Sequence, residues 1–195
     1  MDPTTFATAY GLSTSIGIRP FLTLVLASVA MHFGYLHPSP SFAFLGSNGA
    51  TLLLAALAVL EFAGDKIPVL DHALHVLHFA TKPVAAALLV AGTIPGAGTG
   101  DPVSYALMGA GALNALGVHT GIATLRGAST ATTLGLGNPI LSLCEDIAAV
   151  ASTVLAILLP FAGAALAIAA TIVVLVTARY VLVHVRRSRA SSAPA

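Results

Sequence analysis

Charge is what this sequence has least of. Only 8% of its 195 residues are Asp, Glu, Lys or Arg, against 57% hydrophobic, and the mean hydropathy is +0.95. A soluble domain carries roughly 25% charged residues, so a water-facing globular surface is excluded. The net charge is only +1, which gives no basic field and excludes nucleic acid as a partner. Cysteine is nearly absent as well. Cys144 stands alone, so there is no internal disulfide and no multi-cysteine metal site. The sequence holds no Gly-x-Ser-x-Gly, no His-Glu-x-x-His and no P-loop. Without a nucleophile motif the expectation is a protein that is not an enzyme and calls for no cofactor. Met1-Asp2-Pro3 brings no basic n-region, so the start does not read as a cleaved signal peptide.

What is abundant is apolar sequence. Runs appear at about residues 6–35, 49–64, 70–94, 105–126, 139–161 and 164–185. Six spans of about 20 residues each use nearly the whole chain and leave no room for a soluble catalytic domain. A five-span count, in which the short second run merges or is lost, is the alternative. The punctuation is what helix ends need: His37-Pro38-Ser39-Pro40, then Pro95-Gly96-Ala97-Gly98, then Gly135-Leu136-Gly137-Asn138-Pro139. Only Pro160 to Gly163 separates the last two runs, so a tight helical hairpin is expected there. The expected fold is an all-α polytopic membrane helix bundle of about six segments. Residues 1–187 form a single transmembrane domain, and 188–195 form a disordered cytoplasmic tail.

Orientation follows from the cations. Arg179, Arg186, Arg187 and Arg189 cluster near the C-terminal end, which should therefore be cytoplasmic. Six spans put the N-terminus there too, together with the loops carrying Lys66 and Arg126. The loops around Pro38 and Gly98 hold no Lys or Arg and fall outside. The expected location is the plasma membrane (the inner membrane of a cell with two), crossed several times.

A faint repeat runs through the chain. Gly11 to Arg19 and Gly111 to His119 share the pattern Gly-x5-Gly, a branched apolar residue, then a basic or titratable one. A Leu-Gly-polar step follows each, at Leu45-Gly46-Ser47 and at Leu136-Gly137-Asn138. Two halves of three spans, about 6–94 and 105–185, would be oppositely oriented, the 3+3 inverted-repeat design of many transporters. The first helix of each half reads as broken. Arg19-Pro20 lies inside the first run, where proline removes an intrahelical donor. Freed backbone in a membrane must meet protein or a water-lined cavity. The competing reading is that the small residues only let helices pack closely.

Charges inside the runs are costly, at least ~2.5–3.5 kcal/mol each at the bilayer centre. Arg19, Glu61, Lys82, Glu145 and Asp146 all lie in or beside apolar runs, and pairing in the bundle interior is expected. Glu61 and Asp65 are four apart and share a helix face. Two carboxylates so placed would build a cation or proton site, or Asp65-Lys66 is a solvated helix end and Glu61 a structural ion pair. Asp71, His75, His78 and Lys82 are spaced i, i+4, i+7, i+11 and form a narrow helical stripe. Asp71, His75 and His78 fit a proton path, a metal site, or an interfacial helix facing headgroup water. Glu145 and Asp146, being adjacent, point in different directions, so at most one easily lines a shared cavity.

With Gly11 to Phe21, Leu45-Gly46-Ser47, Glu61-x3-Asp65-Lys66-Ile67-Pro68-x2-Asp71 and Lys82-Pro83 in that order, the chain resembles the domain-of-unknown-function 4126 family of bacterial membrane proteins. The resemblance covers most of the chain, with Asp65-Lys66-Ile67-Pro68 its most specific part. It implies a membrane protein and no activity. The stretch from Glu61 to Lys66 also resembles, more weakly, the Glu-x-Gly-Asp-Lys motif of small cation exchangers built from inverted repeats. It carries one inserted residue and lacks the hydroxyl after Lys66.

The functional expectation is a small membrane transporter or ion-conducting protein with a polar site near mid-membrane between the repeats. Arg19, Glu61, Asp65, His119, Glu145 and Asp146 would bind the ion or solute, Asp71, His75 and His78 would form a path, and Lys82 would accompany them. The alternative is a non-transporting accessory or assembly protein whose intramembrane charges are structural. The expected partners are the lipid bilayer, a small ion or solute, and, compatibly, further copies of the chain.

Overall fold

The computed structural model describes residues 2–64, 68–94 and 100–191. Among them there is no strand, and seven α-helices follow in order: α1 Pro3–Ile18, α2 Pro20–His32, α3 Asn48–Gly64, α4 Pro68–Thr93, α5 Pro102–Thr133, α6 Asn138–Leu158 and α7 Pro160–Ser191. A 3₁₀ turn at Pro40–Gly46 leads into α3. Proline is the first residue of α1, α2, α4, α5 and α7. There its missing N–H costs nothing and its fixed φ suits the helix.

All six apolar runs are helical, so the membrane helix bundle stands. Among the described residues four stretches are long and apolar enough to cross a bilayer: Val76–Thr93, Pro102–Thr133, Asn138–Leu158 and Pro160–Thr177. A fifth is added if the turn at Pro40–Gly46 and α3, bent by 59°, count as one span. The first run does not qualify as one helix because Pro20 divides it into α1, of 16 residues, and α2, of 13.

The surface is that of a membrane protein. Leu52, Leu53, Val59 and Leu60 on α3, Ile140 and Ile147 on α6, and Ile172 and Val173 on α7 are exposed, while Arg19, Glu61, His78, Lys82, His119 and Arg126 are buried. In water this distribution would be upside down. In a bilayer it removes charge from lipid and presents hydrocarbon to it.

α1 is the hub. It packs against α4, α5, α6 and α7, and eleven of its residues are buried. A helix surrounded on all sides cannot be amphipathic, and α1 is made of small residues instead. A Cβ on Gly11 would lie 2.7 Å from the Ala156 Cβ, and one on Gly17 would lie 2.7 Å from the Val118 Cβ. The hydroxyls in this interior are satisfied locally and across helices. Ser15 donates to the Gly11 carbonyl (3.0 Å) and lies 2.7 Å from the Ser152 hydroxyl. Asn114 donates to Ser13 and Thr14, both at 2.8 Å. The two Gly-x5-Gly segments therefore lie against each other.

Three expectations are corrected. The second half has no broken first helix: α5 runs unbroken from Pro102 to Thr133. Its glycines, unlike Pro20, keep their N–H groups and so keep the hydrogen-bond ladder. Arg126 does not mark a loop. It is buried within α5, so it drops out of the orientation argument. The last helix continues through Ser191, into the stretch read as a disordered tail. Residues 192–195 lie outside the described residues, as do Asp65 and Lys66.

Asp101 caps α5, accepting from the Val103 and Ser104 N–H groups (3.2 Å each) and the Ser104 hydroxyl (2.9 Å). The Ser104 hydroxyl, with the Val103 N–H next, holds the carboxyl below its ordinary value of 3.8. A depressed folded-state pKa contributes stability that is present above the ordinary value and lost as pH falls through the folded one. Thermal unfolding should therefore separate wild type from Asp101→Asn near neutrality, and the gap should close in strong acid. A gap that persists unchanged would show the charge is not what caps the helix.

Candidate functional site

The site is built on the interruption between α1 and α2. Arg19 adopts an extended conformation (φ −134°, ψ 99°), and its N–H donates back to Ser15 O (2.9 Å) as the last bond of α1. Beyond it the helix ladder fails, because Pro20 has no donor and α2 begins a new helix. A helix end leaves orphan carbonyls carrying partial negative charge, and a helix start leaves orphan N–H groups carrying partial positive charge. Both lie here in the protein interior, and both are met by charged side chains from other helices.

Lys82 of α4 meets the carbonyl end. Its ammonium donates to Gly17 O (3.0 Å) and Ile18 O (2.8 Å), and lies 3.1 Å from His119 Nδ1 of α5. An ammonium has three donors and no acceptor, so all three are used, and Nδ1 is the acceptor in the third contact. That assigns the imidazole proton to Nε2. Glu61 of α3 meets the other end. Its Oε2 accepts from the Phe21 N–H at 3.2 Å, near the start of α2, and its Oε1 lies 3.4 Å from His78 Nε2. The His78 and His119 rings stand edge-on with centroids 6.1 Å apart, and Phe79 packs on His119 at 4.6 Å.

The Arg19 side chain reaches α6. Nε lies 2.8 Å from Asp146 Oδ1. Nη2 donates to the Ser142 hydroxyl at 2.8 Å and its carbonyl at 3.3 Å, and lies 3.7 Å from Glu145 Oε2. Arg126 grips Glu145 with two bonds, Nε to Oε1 at 2.9 Å and Nη2 to Oε2 at 2.7 Å. This bidentate fork is the strongest geometry available to the pair. Three cations thus face three carboxylates across four helices and the break, with two imidazoles between them.

Beside the cluster is a cavity of about 250 Å³, lined by Arg19, Leu22, Ala58, Val59, Glu61, Phe62 and Asp146. Its walls come from α3, from the break and the start of α2, and from Asp146 of α6, and α3 and α6 do not pack against each other among the described residues. Exposed Val59 and Phe62 stand at its edge. The cavity brings an otherwise apolar wall up to both signs of charge.

The structure gathers Arg19, Glu61, His78, Lys82, His119, Glu145 and Asp146 in one place. His78 and Lys82, four apart on α4, face inward and are buried; for His78 the interfacial reading is corrected, while Lys82 lies in the bundle interior as expected. The side chains of Asp71 and His75 lie outside the described residues. Among the described residues no group of three His, Cys, Asp or Glu is disposed to hold a metal ion. Glu145 and Asp146 both reach Arg19, because a guanidinium offers donors along two edges, but of the two only Asp146 lines the cavity. Arg19 pairs with these two, while Glu61 serves His78 and the α2 start. Sequence reasoning missed Arg126 and Ser142. The signal existed: Arg126 is seven residues after His119, and Ser142 is three and four before the two carboxylates, spacings that share a helix face.

The family described as "Domain of unknown function (DUF4126)" matches residues 6–180. Neither curated proteins nor solved structures match the chain.

Proposed function

The chain belongs to the DUF4126 family, whose description carries no activity, and from its buried charges we propose that it is a small secondary transporter or ion-conducting protein rather than an enzyme. One observation carries this reading. The two ends of a broken helix are neutralised inside the bundle by side chains from other helices, next to a cavity that reaches one of them, Glu61, together with Arg19 and Asp146. Discontinuous helices with charged groups at their ends are how membrane transporters hold ions and polar solutes at depth. Keeping six ionised groups there costs far more than an apolar core would. An inverted relation between residues 6–94 and 105–185 is compatible with this reading but not required, since one broken helix supplies the site. The same reading puts the chain in the plasma membrane with both termini cytoplasmic, the cations at Arg179, Arg186, Arg187 and Arg189 marking that side.

The experiment is ion flux in liposomes containing the purified protein, with a pH-sensitive dye inside and imposed proton or cation gradients. Arg19→Lys should leave thermal unfolding within a few degrees of wild type. It should lower flux roughly ten- to a hundredfold, the equivalent of losing one charged hydrogen bond. Lysine keeps the charge but cannot hold Asp146, Ser142 and Glu145 together. Equal flux in the variant would remove Arg19 from the transport site.

A second reading has its own observation: the three cations and three carboxylates balance, so the cluster is a closed ionic lattice needing no ligand. A non-transporting membrane protein with structural ion pairs would then show no flux under any gradient. Arg19→Met combined with Asp146→Met would also leave its stability unchanged or raised.

A further inference from the structure

We propose that the C-terminal end of α1 is a monovalent-cation site whose resident cation is the Lys82 ammonium, so that the ion exchanged there is a proton. The inference deepens the transport reading by naming its coupling ion; the existence of the site does not depend on transport.

The donor set is that of a cation site. Two backbone carbonyls, Gly17 O and Ile18 O, and one imidazole nitrogen, His119 Nδ1, converge on a single point at 2.8–3.1 Å. Carbonyls turned inward in this way replace the hydration shell of a cation. They are available because Pro20 ends α1 where it does. The negative end of the α1 dipole adds to their field. Every element around the point contributes charge: Glu61 from α3, His78 from α4, His119 and Arg126 from α5, Glu145 and Asp146 from α6, and Arg19 from the break itself. The three carboxylates offset the two guanidiniums, and the ammonium completes the balance. A free potassium or sodium ion has no room while Lys82 is there, and Lys82 is tethered.

A tethered cation changes charge only by giving up a proton, and the structure supplies the acceptor. The proton passes from Lys82 Nζ to His119 Nδ1, which presents its lone pair at 3.1 Å. The ammonium becomes an amine, the imidazole becomes an imidazolium, and no other bond changes. His78, whose ring is 6.1 Å from that of His119, and Glu61, 3.4 Å beyond it, continue the line toward the cavity. Neutral Lys82 keeps two N–H donors for the two carbonyls but loses the charge that strengthened those bonds, so the hold of α4 on the carbonyl end weakens.

The test removes the tethered charge and asks whether a free one takes its place. Purified Lys82→Ala in detergent is unfolded thermally in potassium, sodium or choline chloride at equal ionic strength. The expected result is a potassium- or sodium-specific rise in Tm of roughly 3–6 °C once the salt exceeds the site's Kd about tenfold. Wild type should show no such shift near neutrality. Lys82→Ser, which leaves the same room and keeps a hydroxyl for the two carbonyls, should show the shift too, and this arm serves if the alanine variant folds poorly. A shift that choline reproduces, or no shift in either arm, overturns the proposal. Liposome flux separates the two ideas. A cation-specific shift in a protein that conducts nothing keeps the site and removes transport. Flux without the shift keeps transport and removes Lys82 as the carrier.

Discussion

Glu145→Gln is expected to lower stability by about 3–5 kcal/mol, the cost of breaking a buried ion pair from one side. Glu145 is a deeply shared carboxylate. Arg126 binds both of its oxygens and Arg19 approaches the second. A glutamine offers one oxygen and turns an NH₂ toward a guanidinium, so it replaces one acceptor by a repulsive donor. Asp146 alone must then answer two arginines. For a chain of this length the loss corresponds to roughly 6–20 °C in Tm, measured by thermal unfolding in detergent. The paired substitution decides the cause. Arg126→Met added to Glu145→Gln removes the stranded guanidinium and should recover much of the loss, since apolar replacements of a buried pair are often neutral. Without recovery, packing around Glu145 matters more than its charge.

Gly163→Ala should be the most damaging methyl that can be added to the molecule's apolar part. A Cβ there would lie 2.5 Å from Ala156 Cα, 2.6 Å from its nitrogen and 2.8 Å from the Leu155 carbonyl carbon. All three are backbone, so no rotamer change relieves the clash. α6 and α7 would have to separate at their joint, where Leu159 alone connects Leu158 to Pro160. Overpacking of a tight core costs typically 1–3 kcal/mol. With backbone on the receiving side, the upper end of that range or beyond is expected, visible as a lower Tm and aggregation in detergent. The control is Gly117→Ala, on the open side of α5 with nothing within 4 Å. It should be neutral or stabilising by up to about 1 kcal/mol, as alanine replaces glycine in a helix. Similar behaviour of the two variants would show that the α6–α7 approach is looser than described.

The break at Arg19-Pro20 was legible because proline removes an intrahelical donor, although Pro83 inside unbroken α4 shows that the rule does not act alone. The stripe on α4 was legible as a pattern, His78 and Lys82 being one turn apart, but spacing alone left open whether His78 faced headgroup water or the interior. What could not be read was which charge meets which. Arg126 looked like the end of a run because an arginine in an apolar sequence ordinarily marks the interface. It stays inside only because Glu145, nineteen residues later, brings it a carboxylate. The spread of Glu145 and Asp146 around α6 did leave only Asp146 on the cavity, but it gave no sign that Arg19 would reach both. The 32-residue length of α5 was hidden by the same arginine, and by Ser, Thr and Gly beyond it that resemble a loop. The Leu-Gly-Ser step marked a real boundary, but nothing local announced the 3₁₀ turn before it.

The burial of α1 has a consequence for how the protein is made. A ribosome delivers α1 before α4, α5, α6 and α7, yet those four are the helices that cover it. Until they arrive, a segment rich in hydroxyls and ending in an arginine has neither lipid nor protein suited to it. Its hydroxyls can bond back within the helix, but the Arg19 guanidinium has only water or headgroups to turn to. Insertion in chain order therefore leaves the N-terminal segment waiting at the membrane surface or within the insertion machinery. It enters last, when α6 presents Asp146 and Ser142.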